Sequence, residues 1–277
     1  MGWWFSKFLK SNGYNVVISD RNIQAGRTRS KEFDIKFATD YLTAARVSDI
    51  VVLATPTKVS NRILNQLGRE LRKGILIVEI SSMKAPVRRA ISALQKKGFS
   101  VLSIHPMFGP GTKKLVNRSI LVVSRTHDSK AEQLLSIFRR LGARMIPCSM
   151  DEHDTLATIV ITLPHLMSIS LIETLRSLRV DMNEINMASG TTFRLHSLVA
   201  EAIYQEDHVN EISILADSKT SVLQAFSEQV RIMLNIIRAN PERLLRILNT
   251  GRSFVESDRH FADSYERFNS AVQAALG

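Results

Sequence analysis

Short apolar runs rich in β-branched residues alternate with stretches of helical period from the start of the chain to about residue 150. Tyr14-Asn15-Val16-Val17-Ile18-Ser19, Asp49-Ile50-Val51-Val52-Leu53-Ala54 and Gly74-Ile75-Leu76-Ile77-Val78-Glu79 read as buried parallel strands. Phe99-Ser100-Val101-Leu102-Ser103-Ile104, Ser119-Ile120-Leu121-Val122-Val123 and Ala143-Arg144-Met145-Ile146 continue the series. Lys58 to Leu71, Val87 to Lys97 and Ala131 to Leu141 carry apolar residues at helical spacing. Strand and helix in alternation predict a parallel sheet covered on both faces, a doubly wound α/β domain.

After Asp151 the pattern changes. Apolar residues recur at helical spacing through Leu156, Ile159, Val160, Leu163 and Leu166, and again through Val222, Phe226, Val230, Leu234 and Ile237. Asn240-Pro241 reads as a cap and first helical position, and Gly251 as the break before a last helical stretch, Ser253 to Leu276. The expected organisation is therefore residues 1–150 as the α/β domain and 151–277 as an all-helical domain. So much apolar surface on the helical half predicts pairing with a second copy of the chain, a homodimer.

Composition narrows the class. With 44% hydrophobic residues in 277, the chain can bury a large core. No window holds the roughly 18 uninterrupted apolar residues of a membrane span, and the N-terminus lacks the features of a secretory signal. A single cysteine, Cys148, excludes an internal disulfide framework and a cysteine-based zinc site, so cytoplasmic residence is the default expectation. The net charge of +11 attracts polyanions, but also small dianions and dinucleotides. The basic residues are dispersed and not interleaved with aromatics, which argues against a dedicated nucleic-acid surface.

The chemistry concentrates in His105-Pro106-Met107-Phe108-Gly109-Pro110-Gly111. An imidazole at the exit of a buried strand sits in the crevice where α/β folds keep their ligands. The prolines and glycines then shape a loop whose backbone can approach a ligand closely. This heptapeptide resembles the histidine loop of the prephenate dehydrogenases, which oxidatively decarboxylate prephenate to 4-hydroxyphenylpyruvate on the way to tyrosine. Ala54-Thr55-Pro56, Ser81-Ser82-Met83-Lys84, Glu152-His153-Asp154 and Leu163-Pro164-His165 follow that family's pattern in order, and the resemblance covers nearly the whole chain. It implies either prephenate or arogenate as substrate, or a non-catalytic relative that has lost cofactor binding.

A Rossmann-like cofactor site needs a strand, then G-x-G-x-x-G opening a helix. Here Gly2 stands at the third glycine, before the helical stretch from Trp3 to Asn12 that Gly13 closes. Asp20 lies about 20 residues further on, as a ribose-binding acid should. The first strand and two phosphate-loop glycines are missing from this pattern. That predicts a sheet lacking a central strand and weak cofactor binding, whether from a start placed too late, a trimmed chain or a degenerate protein. Among these, Met1 reads best as an internal methionine of a longer protein. Asp20 favours NAD; Arg21 beside it leaves NADP open. Thr55 and Pro56 resemble the turn passing beneath the nicotinamide.

For the reaction, the resemblance implies His105 as the base that takes the hydroxyl proton, with Ser82 orienting its ring. A neutral imidazole suits that task near pH 7. His165 would contact substrate from the helical half, and Arg194 would clamp a carboxylate. His153 and Asp154 are expected to serve a helix start. No metal is implied: the side chains of Glu152, His153 and Asp154 point different ways on a helix. Three positions depart from the family pattern, Ile161 for a glutamine, Gly190-Thr191 for Ser-Pro and Ala202 for a second arginine. Arg194, Arg176 or an arginine of a partner subunit would then have to supply the missing charge.

Overall fold

The structure, a computed structural model, describes residues 1–205, 208–240 and 242–276. The chain forms two compact units, residues 1–157 with 213–217, and residues 158–212 with 218–277.

The first unit begins with α1 (Gly2–Ser11), whose buried Phe5, Phe8 and Leu9 lie at the i, i+3, i+4 spacing of one helix face. Gly13, at φ +85°, turns the chain out of it. Then follow β1 (Val17–Ile18), α2 (Ile23–Glu32), β2 (Lys36–Phe37), α3 (Tyr41–Arg46), β3 (Ile50–Leu53), α4 (Thr57–Glu70) and β4 (Leu76–Glu79). Next come α5 (Arg88–Lys96), β5 (Ser100–Pro106), β6 (Ser119–Ser124), α6 (Ser129–Arg140), β7 (Arg144–Pro147) and α7 (Met150–Ala157). Asn22, Asp40 and Asp128 cap α2, α3 and α6 by accepting backbone N–H groups of the first turn.

The strands form two sheets. β1 and β2 pair in parallel, and β3-β4-β5-β6-β7 make the second sheet in that order. β1 does not pair with β3, so the two sheets share no ladder. Within the larger sheet every pairing is parallel except β5 with β6, which is antiparallel. The expectation of a uniformly parallel sheet is corrected there. Residues 107–118 contain no helix to carry the chain back over the sheet, so β6 returns alongside β5 in the opposite sense.

Both faces of the sheet are buried, which is why its central strands read as unbroken apolar runs. Leu76, Val78, Leu102, Ile104, Ile120 and Val122 pack against Phe5 and Phe8 of α1 and Leu134, Leu135 and Phe138 of α6. Ile75, Ile77 and Val101 face Leu64 and Leu67 of α4 and Ile91 and Leu94 of α5. Each such side chain contributes about 1.5–3 kcal/mol when fully buried.

The second unit opens with a π turn, Thr158–Thr162, that continues α7 into α8 (Leu163–Ser177). α9 (Met182–Ala188), α10 (Thr191–Tyr204), α11 (His208–Ala216), α12 (Thr220–Ala239), α13 (Glu242–Val255) and α14 (Ser264–Leu276) follow. The last residues of α11, from Ser213, belong to the first unit. α8 packs on α10, α10 on α14, and α12 on α13. The expected break at Gly251 is corrected, because α13 runs through it to Val255. A glycine inside a helix costs only about 1 kcal/mol relative to alanine, too little to end one by itself. Asn240 does cap α13, accepting the Arg243 N–H at 3.3 Å, while Pro241 lies outside the described residues. The unit leaves Met187, Leu245, Leu248, Phe254 and Tyr265 exposed. Met150–Ser177 is the one described stretch that matches a membrane span in length and apolarity, yet it buries His153 and Asp154.

Candidate active site

β4 and β5 part company at the carboxyl end of the sheet. Their pairing stops at Glu79 and Ser103, and a register shift follows between Ser103 and Ile104. β5 runs on for Ile104, His105 and Pro106, held by β6 alone, with His105 opposite Leu121. His105 thus lies within the strand and not after it, as the sequence suggested. Pro106 is tolerated there because no neighbour on the β4 side asks for its missing N–H.

The gap left by β4 is filled by a buried lysine. Lys84 Nζ donates to the carbonyl of Ile104 at 2.9 Å and to Glu79 Oε2 at 2.8 Å, and both charged side chains are wholly buried. Glu79 Oε2 also accepts from Ser103 Oγ at 2.8 Å, and its Oε1 accepts the Ser81 N–H. Burial lowers the Lys84 pKa, against the opposing pull of Glu79.

His105 is buried, and among the described residues its hydrogen-bond partner is His153, Nδ1 to Nε2 at 2.9 Å. His153 Nδ1 in turn meets Asp154 Oδ1 at 2.8 Å. Asp154 accepts two more bonds, from the backbone N–H of Lys84 on Oδ1 and of Ala85 on Oδ2, both at 2.8 Å. Burial, then the positive charge of Lys84 and the neighbouring His153, pushes the His105 pKa well below the usual imidazole value. Burial also lowers the pKa of His153. For Asp154 burial acts the other way, but the bonds from His153 and the two backbone N–H groups outweigh it and favour the carboxylate. At neutral pH the cluster is two neutral imidazoles on a carboxylate.

Two expectations change here. The orienting contact assigned to Ser82 falls on His153; the turn after β4 leaves Ser82 half-buried, with no bond to the imidazole. His153 and Asp154 do not serve the helix start either. Ser149 and Glu152 do, through reciprocal bonds of 2.8 and 3.2 Å between side chain and backbone N–H. Sequence reading also missed Lys84 and Glu79 as a pair, and Ser81, whose buried Oγ has no partner among the described residues. The signal was a glutamate closing an apolar strand with a lysine five residues on.

Of the proposed cofactor residues, Asp20 and Arg21 follow β1, Thr55 and Pro56 follow β3, and Gly2 opens α1, all in this same unit. Gly2 starts α1, where the N–H groups of the first turn have no intrahelical acceptor, and a Cβ built on it lies 3.5 Å from Ala54. Asp20 follows β1 and is exposed; its Oδ1 accepts the Asn22 N–H at 2.8 Å. Arg21 is exposed beside it. Thr55 and Pro56 end β3, with Thr55 Oγ1 2.8 Å from Ser60 Oγ and Pro56 at the cap of α4. An open helix start and a strand-end carboxylate are the donor and acceptor set that a dinucleotide's phosphates and ribose hydroxyls require. Among the described residues no three His, Cys, Asp or Glu side chains gather as metal ligands.

The second unit carries His165 in the first turn of α8 and Arg194 in the first turn of α10, both half-buried on helices that pack together. Arg194 makes no ion pair among the described residues. Arg176 is committed to Glu173 at 2.6 Å, and Ala202 is exposed.

A doubly wound unit with crossover helices on both faces of its sheet, followed by a helical unit, is a Rossmann-like architecture joined to an all-helical one. The family models for the nucleotide-binding domain and the dimerization domain of prephenate dehydrogenase match residues 5–147 and 149–205. The chain belongs to the prephenate dehydrogenase family. It is 27% identical over 273 residues to a probable arogenate/prephenate dehydrogenase of Methanocaldococcus jannaschii, covering 96% of this chain and 60% of that protein. It is 22% identical over 228 residues to the T-protein of Haemophilus influenzae, covering 80% of this chain and 55% of that one. The chain thus spans little more than half the length of these relatives. In fold it resembles the prephenate dehydrogenase of A. aeolicus, solved with hydroxyphenyl propionate and NAD+, at TM-score 0.68 and 19% identity over 93% of this chain and 95% of the other.

Proposed function

We propose that the chain is an NAD-dependent dehydrogenase that converts prephenate to 4-hydroxyphenylpyruvate, with residues 1–150 binding the dinucleotide and 151–277 the substrate and a second copy. The observation that supports the reading best is His105: a buried imidazole, kept neutral, at the carboxyl end of β5 with its Nδ1 already engaged. Its Nε2 is the atom left to meet a substrate hydroxyl.

A bound nicotinamide dinucleotide supplies the acceptor for the hydride of the ring carbinol carbon. His105 takes the hydroxyl proton at Nε2 as the carbonyl forms, and loss of the ring carboxylate as CO2 returns its electron pair to complete the aromatic ring. The Lys84 charge disfavours a stray proton on His105 before substrate arrives. Ser82 stays a proposed residue of the site. His165 is the proposed contact to substrate, and Arg194, lacking an ion-pair partner among the described residues, the carboxylate clamp. Asp20 binds the ribose diol and repels a 2′-phosphate, with Gly2, Thr55 and Pro56 completing the dinucleotide site and Arg21 weakening the preference against NADP. The exposed Leu245, Leu248 and Phe254 support a homodimer through the helical unit.

The test is formation of reduced dinucleotide by the full chain on prephenate and, in parallel, on arogenate. His105→Asn should lower turnover about 10²–10⁴-fold and leave dinucleotide affinity, measured by calorimetry, nearly unchanged. Normal turnover in that variant removes His105 as the base. Turnover on arogenate alone moves the assignment to that substrate.

A further inference from the structure

His153 and Asp154 have no part in the chemistry so far, yet both are buried and both bear on the base. Hydrogen-bond bookkeeping assigns every proton in the chain of contacts. The Asp154 carboxylate already accepts two backbone N–H bonds, so the group facing it at 2.8 Å, His153 Nδ1, carries a hydrogen and donates. A neutral His153 then has its lone pair on Nε2. That atom lies 2.9 Å from His105 Nδ1, which must therefore be protonated and donate in turn. The lone pair of His105 is left on Nε2. A free imidazole in water favours the other tautomer, with the hydrogen on Nε2, so the substrate-facing lone pair is imposed by the neighbour.

We propose that His153, held by Asp154, is the positioning residue of the reaction: it fixes the tautomer of His105 and takes over the proton that His105 removes from substrate. The inference rests on the reading of His105 as the base. In the step, the substrate O–H bond breaks and a His105 Nε2–H bond forms. The His105 Nδ1–H bond breaks as its proton passes to His153 Nε2. The positive charge then rests on His153 against the Asp154 carboxylate, and His105 is neutral again. Return of the His153 proton to His105 Nδ1, with loss of the Nε2 proton to water, resets the pair. The charged and titratable groups facing the two rings are Lys84 after β4, Glu79 on β4 and Asp154 on α7, with Cys148 facing Lys84 before α7. Lys84 disfavours a proton on either ring, whereas Asp154 and Glu79 favour one on His153. The gradient runs from His105 to His153.

The experiment is ¹⁵N NMR of the imidazoles in the full chain, free of ligands, beside His153→Gln and His153→Ala. The wild-type chain should show His105 with hydrogen on Nδ1 across neutral pH. The glutamine variant offers an amide oxygen to the same N–H and should preserve that tautomer, whereas the alanine variant should release His105 to the Nε2–H form. His105 found with hydrogen on Nε2 in the wild type overturns the proposal, and the unmutated chain suffices for that result. So does an unchanged tautomer in the alanine variant. With substrate, His153→Gln should keep KM within about 3-fold and lose roughly 10-fold or more in kcat, with His153→Ala losing more. Equal kcat in wild type and the glutamine variant refutes the proton transfer. Expected tautomers without turnover on prephenate or arogenate would refute the enzymatic reading alone.

Discussion

Replacing Lys84 by methionine tests the scaffold of the site more sharply than touching the histidines. The side chain is wholly buried and makes two bonds, to Glu79 Oε2 at 2.8 Å and to the Ile104 carbonyl at 2.9 Å. Methionine has similar length and no charge, so the main change is a Glu79 carboxylate left in the core with only neutral donors, Ser103 Oγ and the Ser81 N–H. Breaking a buried pair this way costs about 3–5 kcal/mol, because one charge stays behind. Removing both charges in Glu79→Gln/Lys84→Met should cost much less. What remains is then the unpaired Ile104 carbonyl, about 1–3 kcal/mol. The double-mutant cycle should therefore show a coupling of roughly 2 kcal/mol or more. The assay is urea unfolding of the full chain by circular dichroism at pH 7, with the slope m checked for constancy. A single-variant cost under about 1 kcal/mol, or strict additivity in the cycle, refutes the account.

Other expectations are as concrete. His105 and His153 have folded-state pKa values lowered from 6.5, so below that pH the unfolded chain binds more protons than the folded one. Stability should be level above about pH 7 and fall as pH drops below 6.5, by up to about 1.4 kcal/mol per pH unit for each histidine until its own folded pKa is reached. Urea midpoints between pH 8 and pH 5 check this, and a flat profile contradicts it. Asp20→Ala should weaken NAD binding roughly 10-fold or more by removing a charge-assisted bond worth about 1.5–3 kcal/mol. The same change should narrow the preference over NADP, and equal losses for both dinucleotides would free Asp20 from that role.

What the sequence reveals of this fold follows burial. β4 and most of β5 are enclosed on both faces, so their apolar runs announce them. β1 and β2 are two residues each, too short for a pattern to form. α2 buries only Gly26, and a helix polar nearly all round has no periodicity to detect. The antiparallel turn from β5 to β6 shows only indirectly, in a connection without helical spacing. In the site, His105 is marked by the unusual loop after it. His153 and Asp154 carry no such mark, because their partners are 48 and about 70 residues away and adjacent helical residues rarely serve one purpose. The capping pair Ser149 and Glu152 was within reach of the spacing rule alone, and finding it would have freed Asp154 for another role.

The buried polar cluster also has to be weighed against what could replace it. An ion pair in a core contributes little net stability compared with apolar side chains of similar volume. Its effect here is geometric. Through Lys84 alone, the backbone N–H is tied to Asp154 on α7, the ammonium to Glu79 on β4, and the same ammonium to the Ile104 carbonyl one residue before His105. Three elements distant in sequence thus meet on one residue beside His105. Each bond is directional, so a shift of β5 relative to α7 would break the bond to the Ile104 carbonyl or pull the buried ammonium away from Glu79. A core of leucines would tolerate that shift; this one does not. The position of His105 Nδ1 against His153 Nε2 is then set by the strand and helix that Lys84 joins, which is why a residue without a step in the proposed reaction should control how well that reaction runs.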